Sequence, residues 1–435
     1  WFYRTFGIDG EIIIAHAWGQ DPLRRKMKYE LTETAVLTNG LRIIRQPSPT
    51  DVVYMGYAID AGTRDEATDE HGLAHFVEHT IFKGTRRRRA WHILNRMELV
   101  GGDLNAFTGK EETVVYAAFL KPHFARALDL LTDIVFHSSF PEEGVAKERE
   151  VILDEIESYD DIPSELIFDE FEQQLFEGHP LGHNILGTPH SVRRFGAADA
   201  HRFTSRFYVP AGAVLFVYGN IPLARIVSMA ERLTSDLPLN PSHLLRLPPP
   251  VEEPRIVRSH RHTHQTLVIT GCSSYPFGDP RRIGLSLLSN ILGGPGMNSR
   301  LNVVLRERLG LVYNVETSVT SYTDTGTFTV CFGCDPADAE RCMALTNDEL
   351  QRLIDNPLTP RQLAAARKQL VGQLGVASAN FENNALALGK TYLHYGYYPT
   401  SSEVIAQLDA LTPSVLQQTA ADIFPACRRS TLIYH

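Results

Sequence analysis

DVVYMGYAIDAG (residues 51–62) returns, degenerate but recognisable, as TLVITGCSSYPFG (residues 266–278). Both are extended, largely apolar runs that close on a glycine, the pattern of buried strands bounded by turns. Matching Val52 to Leu267 gives an offset of 215. A second strand, TVVYAAFL from Thr113, returns as TFTVCFGC from Thr327, 214 residues on. The amphipathic helix after it, HFARALDLLTDIV from His123, parallels ADAERCMALTNDEL from Ala337, again 214 away. Late in each copy a helical segment with a capping-type residue, GAADAHRFTSRFY and LTPSVLQQTAADIF, leads into a closing strand, GAVLFVYG and RSTLIYH. Each match alone is weak, but a series in the same order at one offset is hard to obtain by chance.

Between the copies, LPLNPSHLLRLPPPVEEP (237–254) is proline-rich and reads as a semi-rigid linker. The expectation is therefore an α+β fold of two similar domains related by internal duplication, each an antiparallel-rich mixed sheet with helices packed on it. Residues 27–236 form the first domain, 237–254 the linker and 255–435 the second. A chain of 435 residues with 43% hydrophobic content can bury a core in each.

The net charge of −9 is spread along the chain and offers no footprint for nucleic acid. The basic run RRRR at 86–89 reads as a solvated loop in preference to a docking patch. No apolar run reaches the length of a membrane span. The opening WFYRTFGIDGEIII has neither the basic region nor the apolar stretch of a signal peptide, and the first methionine is Met27. These features favour the cytoplasm. Five cysteines cannot all pair, which suggests a reducing compartment. CFGC (331–334) has a CxxC spacing, but residues three apart on a strand face opposite ways, against a metal or redox role.

HGLAHFVEHTIF (71–82) carries the chemistry. A helix through it, capped by Thr68 or Asp69 and ended by Gly84, puts His75 and His79 on one face, able to share an ion. Glu78 lies beside that face, where a carboxylate can hold a metal-bound water without ligating the metal. H-x-x-E-H is the inverted-zincin order. Alone it arises by accident in roughly a few per cent of chains of this length, as three helical histidines with hydrogen-bonded or solvated rings. A catalytic zinc site needs a third protein ligand. VAKEREVILDEIESYDD, from Val145, is a second strong helix with Glu148 and Glu155 on one face, although acidic faces are usually just solvated.

HFVEH followed, after 75 intervening residues, by Glu155 resembles the pitrilysin/insulinase family of inverted-zincin metallopeptidases, over almost the whole chain. The match is to the half-length branch, similar to bacterial processing proteases and the mitochondrial processing peptidase beta subunit. The resemblance implies one Zn2+ per chain held by His75, His79 and Glu155, with Glu78 as general base and Glu148 supporting the site from behind. His71 is left as a bystander or a supporting group. GGDLNAFTGKEETVVY, from Gly101, is similar to the family's glycine-rich turn and edge strand, which receives substrate by β-addition, with Asn105 and Ala106 at the matching positions. A simple hairpin with an Asn turn is the alternative.

Adding 214 to the ligand positions gives Ser289, Gly293 and Gln369, with Leu292 in place of the base, so the second copy cannot hold zinc in the same way. It carries instead GGPGMNSRLNVVLRERLGLVYNVETS from Gly293, in which Arg306 and Tyr313 match the family's pair reaching from the second domain to the substrate. A guanidinium and a phenol are apt donors to a peptide carbonyl and its oxyanion. A structural arginine and a core tyrosine are the alternative.

The implied activity is a zinc endopeptidase cutting peptides or unfolded polypeptide segments. Full-length relatives enclose substrate with four such domains. Two domains per chain therefore imply a dimer, and a homodimer because the zinc motif and the Arg/Tyr pair share one sequence. Two rivals are a non-catalytic core-type subunit, which typically degrades the zinc motif, and an amidase on small molecules, which needs no edge strand.

Overall fold

The computed structural model describes residues 31–240, 244–250, 253–261 and 263–435. The opening stretch, Met27 and parts of the proline-rich segment lie outside the described residues.

The first half runs β1 (Glu33–Val36), β2 (Arg42–Gln46), β3 (Val52–Ile59), α1 (Leu73–Thr80), α2 (Ala90–Glu98), β4 (Asp103–Thr108), β5 (Thr113–Leu120), α3 (Phe124–His137), α4 (Glu142–Asp160), α5 (Pro163–Leu175), α6 (Ala197–Phe207), β6 (Ala213–Tyr218) and α7 (Leu223–Leu233). Its sheet has the order β1-β2-β6-β3-β5-β4. The second half runs β7 (Ile256–Ser259), β8 (Thr266–Ser274), α8 (Arg282–Gly293), β9 (Val312–Ser321), β10 (Gly326–Cys334), α9 (Ala339–Asp355), α10 (Pro360–Ala377), α11 (Phe381–Tyr395), α12 (Ser401–Ala410), α13 (Pro413–Ile423) and β11 (Ser430–Tyr434). Its sheet has the order β7-β11-β8-β10-β9.

The two orders are the same once β1 is set aside. In each, one pair is parallel (β2 with β6, β7 with β11) and the other pairs are antiparallel. The repeated strands of the sequence are β3 with β8, β5 with β10 and β6 with β11. The repeated helices are α3 with α9 and α6 with α13. The fold is thus the expected α+β duplication, and each sheet ends on an edge strand, β4 or β9.

Successive strand residues face opposite sides of a sheet. On one side of the first sheet, Val53, Met55, Tyr57 and Ile59 pack with Leu128, Leu131 and Ile134 of α3 and Phe203 of α6. The other side presents Ile44, Ala58, Val114, Val214 and Phe216. What covers that side comes from the other half of the chain: Ala385, Leu388, Tyr392 and Leu393 of α11. The second sheet is covered reciprocally, with Ile269, Leu432 and Tyr434 packed under Ile167, Phe171 and Leu175 of α5. Burial on both faces explains why β6 reads AVLFVY without alternation. Each fully buried Leu, Ile or Phe in these layers contributes about 1.5–3 kcal/mol of transfer free energy.

Charged contacts join the halves at the tips of equivalent hairpins. Arg64 donates to Glu111 Oε1 at 2.5 Å and to Asp324 Oδ1 and Oδ2 at 2.8 and 2.5 Å. Glu111 accepts from the Thr323 amide at 2.8 Å and from its hydroxyl at 2.6 Å. Arg246, in the proline-rich segment, pairs with Asp60 at 2.9 Å and Asp65 at 2.8 Å. Leu247 O accepts from Arg64 Nη2 at 2.6 Å. Around Arg246 this segment is therefore pinned to the first half.

Gly389 lets α11 approach its sheet, because a Cβ there would sit 2.5 Å from Cδ1 of Phe216. Gly389→Val should therefore destabilise the protein by about 1–3 kcal/mol through overpacking. Urea unfolding checks this. An unchanged midpoint would contradict close packing of α11 on the first sheet.

Candidate metal centre

Helix α1 starts later than the sequence suggests. Gly72, with φ of 90°, occupies the N-cap position, and neither Thr68 nor Asp69 caps. The cap is distant in sequence: the buried Glu66 carboxylate accepts from the Gly72 amide at 2.9 Å and the Ala74 amide at 2.8 Å. Those are amides left free at a helix start, which also favours negative charge. Gly72 is required twice over, since its φ is left-handed and a Cβ would meet Gly187 Cα at 2.7 Å. Downstream, α1 tightens into a 3-10 turn, Ile81–Lys83, and stops at Gly84 as expected.

The helix packs against α4, and together they assemble three ligand-type atoms. Ligand atoms of His75, His79 and Glu155 all lie within 4.8 Å of one another, the one such group found among the described residues. His79 Nε2 is 3.3 Å from Glu155 Oε2, and His75 Nε2 is 3.8 Å from Oε1. The far side of His79 is held: its Nδ1 is 3.1 Å from Glu148 Oε2, and Glu148 in turn pairs with Lys83. An Nδ1–H donated to Glu148 leaves the Nε2 lone pair facing Glu155.

The electrostatics show what the cluster requires. Burial alone would depress the pKa of His79, but hydrogen bonds to Glu148 and Glu155 push it up to about 9. Burial, reinforced by His79, holds His75 down at about 4 against the pull of Glu155. Glu155 lies below the ordinary carboxylate range: burial opposes, and the hydrogen bond from His79 prevails. A lone pair facing a carboxylate is stable only with a cation between them, either a proton or a metal. Two imidazole nitrogens and one carboxylate oxygen form a donor set for Zn2+, with a fourth position open. The residues present fit that ion.

Glu78 points beside the cluster, not into it. Burial raises its pKa, and the hydroxyl of Thr108, donating to Oε2 at 2.7 Å, acts in the opposite direction. His71 precedes the helix and stacks on His183 with ring centroids 3.7 Å apart, away from the ligand face.

Asn105 and Ala106 lie on β4, whose outer edge has no partner strand among the described residues. Asn105 Nδ2 donates to Asp103 at 2.8 Å, and Ala106 pairs with Val115 of β5. Arg306 sits in a seven-residue π-helical stretch, Asn302–Arg308, and its guanidinium lies 5.8 Å from the ring centroid of Tyr313. Tyr313 is 81% exposed, which rules out a core tyrosine. Among the described residues, neither hydrogen-bonds nor ion-pairs with the cluster. Tyr313 borders a cavity of about 550 Å³ between the halves, which is lined also by Glu111, Glu112 and Lys390.

The second copy uses the corresponding positions for packing. Ser289 Oγ donates to Thr317 Oγ1 at 2.9 Å, Gln369 and Asn298 exchange two hydrogen bonds of 3.1 Å, and Leu292 is core. Cys331 and Cys334 fall in separate apolar clusters. Sequence reasoning missed Glu66, Lys83 and Thr108. Lys83 stands four residues after His79 and Thr108 closes the quoted NAFT, but nothing local marks Glu66 as a cap.

Comparison with known proteins places these features. Residues 42–189 match the family model described as Insulinase (Peptidase family M16), and residues 194–370 match Peptidase M16 inactive domain. A protein of Rickettsia bellii named as an uncharacterized zinc protease is 32% identical over 402 residues, covering 91% of this chain and 96% of its own. The Bacillus subtilis zinc protease YmxG, likewise named as uncharacterized, is 31% identical over 89% of this chain and 94% of its own. A solved protease from Helicobacter pylori superposes with a TM-score of 0.84 at 21% identity, over 93% of this chain and 100% of its own. A peptidase M16 inactive domain from Pseudomonas fluorescens gives a TM-score of 0.86 at 20% identity, over 93% and 97%. The two solved structures show the likeness of fold.

Because Glu148 holds His79 from behind, Glu148→Ala should weaken zinc affinity about 10- to 100-fold while the fold persists. Titration of metal-stripped protein checks this, and unchanged affinity would separate Glu148 from the centre.

Proposed function

The chain belongs to the insulinase (peptidase M16) family of zinc-dependent peptidases, and on that premise we propose that it is a zinc endopeptidase acting on peptides or unfolded polypeptide segments. The observation that carries this reading is the convergence of His75, His79 and Glu155, with Glu78 held beside them. Zinc bound by those three residues supplies a Lewis acid and lowers the pKa of a water towards neutrality.

The rest belongs to the chain's own side chains. Glu78 accepts a proton from the attacking water and delivers it to the leaving amine as the peptide bond breaks. A carboxylate whose pKa is raised by burial is suited to both steps. Glu148 keeps the His79 proton on Nδ1, so that Nε2 remains a ligand. The open edge of β4, around Asn105 and Ala106, pairs with the main chain of an extended peptide and gives affinity that tolerates many sequences. Arg306 and Tyr313 serve as donors to the substrate carbonyl. The exposure of the Tyr313 ring is consistent with that role.

Two domains leave the site open on one side, and a second copy of the chain closes the chamber. Sedimentation at micromolar concentration should therefore report twice the monomer mass, and a monomer would remove the chamber from the proposal. Glu78→Gln should abolish cleavage of a quenched peptide while zinc content stays at one per chain. Cleavage at the wild-type rate would refute the assignment of the base.

A further inference from the structure

The family reading gives Glu78 a role but not a reason for its orientation. Thr108 provides one. It is the last residue of β4, paired with Thr113 of β5, and its hydroxyl donates to Glu78 Oε2 at 2.7 Å. Among the described residues no other hydrogen bond to the Glu78 side chain is present, so one oxygen is tethered and Oε1 remains for a water. Strand alternation places Thr108 on the same side of β4 as Leu104 and Ala106, whose side chains pack with the core cluster that contains α1. A carboxylate on a three-torsion side chain would otherwise sample several rotamers, and fixing it saves that entropy at each turnover.

We propose that Thr108 is a positioning residue for the base: through one hydroxyl it ties Glu78 to the strand whose outer edge receives the peptide. The register of the substrate main chain and the location of the base are then set by one rigid element. A peptide paired along β4 arrives with its scissile bond at a fixed distance from Oε1. The inference rests on Glu78 being the base and β4 the docking strand.

The test uses the full-length, zinc-loaded enzyme. Thr108→Val keeps the branched side chain that suits a strand and removes the donor. Thr108→Ser keeps the donor and removes the methyl group. Thr108→Val should lower kcat about 10- to 100-fold with KM within about twofold and zinc content unchanged. Thr108→Ser should hold kcat within about threefold of wild type. Thr108→Ala, which also lacks the hydroxyl, should match Thr108→Val and covers the case where valine misfolds. Wild-type kcat in both Val and Ala variants overturns the proposal, as does an equal loss in Thr108→Ser or a change confined to KM. If Glu78→Gln cleaves normally, the base assignment itself fails and takes the proposal with it. A dead Glu78→Gln beside an unaffected Thr108→Val refutes the tether alone.

Discussion

The exchange of α5 and α11 is the contact on which the rest of the molecule depends. Each sheet has two apolar faces, and each half supplies its own cover for only one. The other face is closed by a helix lent from the opposite half: Leu388 and Tyr392 over Phe216, Ile167 and Phe171 under Leu432. Neither half buries its strands without the other. The arrangement also brings the two hairpin tips together, so that Glu111 meets Thr323 and the Arg64–Asp324 pair spans the seam. An edge strand of each half is thereby held at a set position relative to the other.

Within that frame the two copies have diverged at the matching positions. In the first, α1 and α4 meet through His75, His79 and Glu155, a cluster with unbalanced charge unless a cation joins it. In the second, α8 and α10 present Ser289 and Gln369, which make neutral hydrogen bonds to Thr317 and Asn298 respectively. Burying charged groups is expensive unless they are paired or bind a metal. A copy without such a cluster therefore gains from neutral residues. The family model that matches residues 194–370 is described as inactive, in keeping with this loss.

Much of this was legible in the sequence because it rests on local periodicity. The apolar runs at 51–62 and 266–278 announce β3 and β8, and the fixed offset announces the duplication. The ligand spacing was legible because helical geometry puts His75 and His79 one turn apart. What escaped is non-local. Glu66 caps α1 from outside its own first turn, so the sequence pointed to Thr68 or Asp69. Thr108 reaches Glu78 across 30 residues of chain. The exchange of α5 and α11 leaves no mark in either helix, since an apolar face looks the same whichever sheet it covers. Arg246, in what reads as a spacer, is engaged by Asp60 and Asp65.

The traded helices bear on how such a chain could arise. A single copy of the repeat, on its own, carries one sheet face with no cover and one helix with nothing to cover. Two identical copies resolve both deficits by lending each other that helix, which is the logic of a domain-swapped dimer. Joined by a linker, the pair becomes one polypeptide in which the swap is permanent and the partners are free to differ. The present protein has the form of such a fused dimer, with the His/Glu cluster kept in one partner and neutral residues at the matching positions of the other.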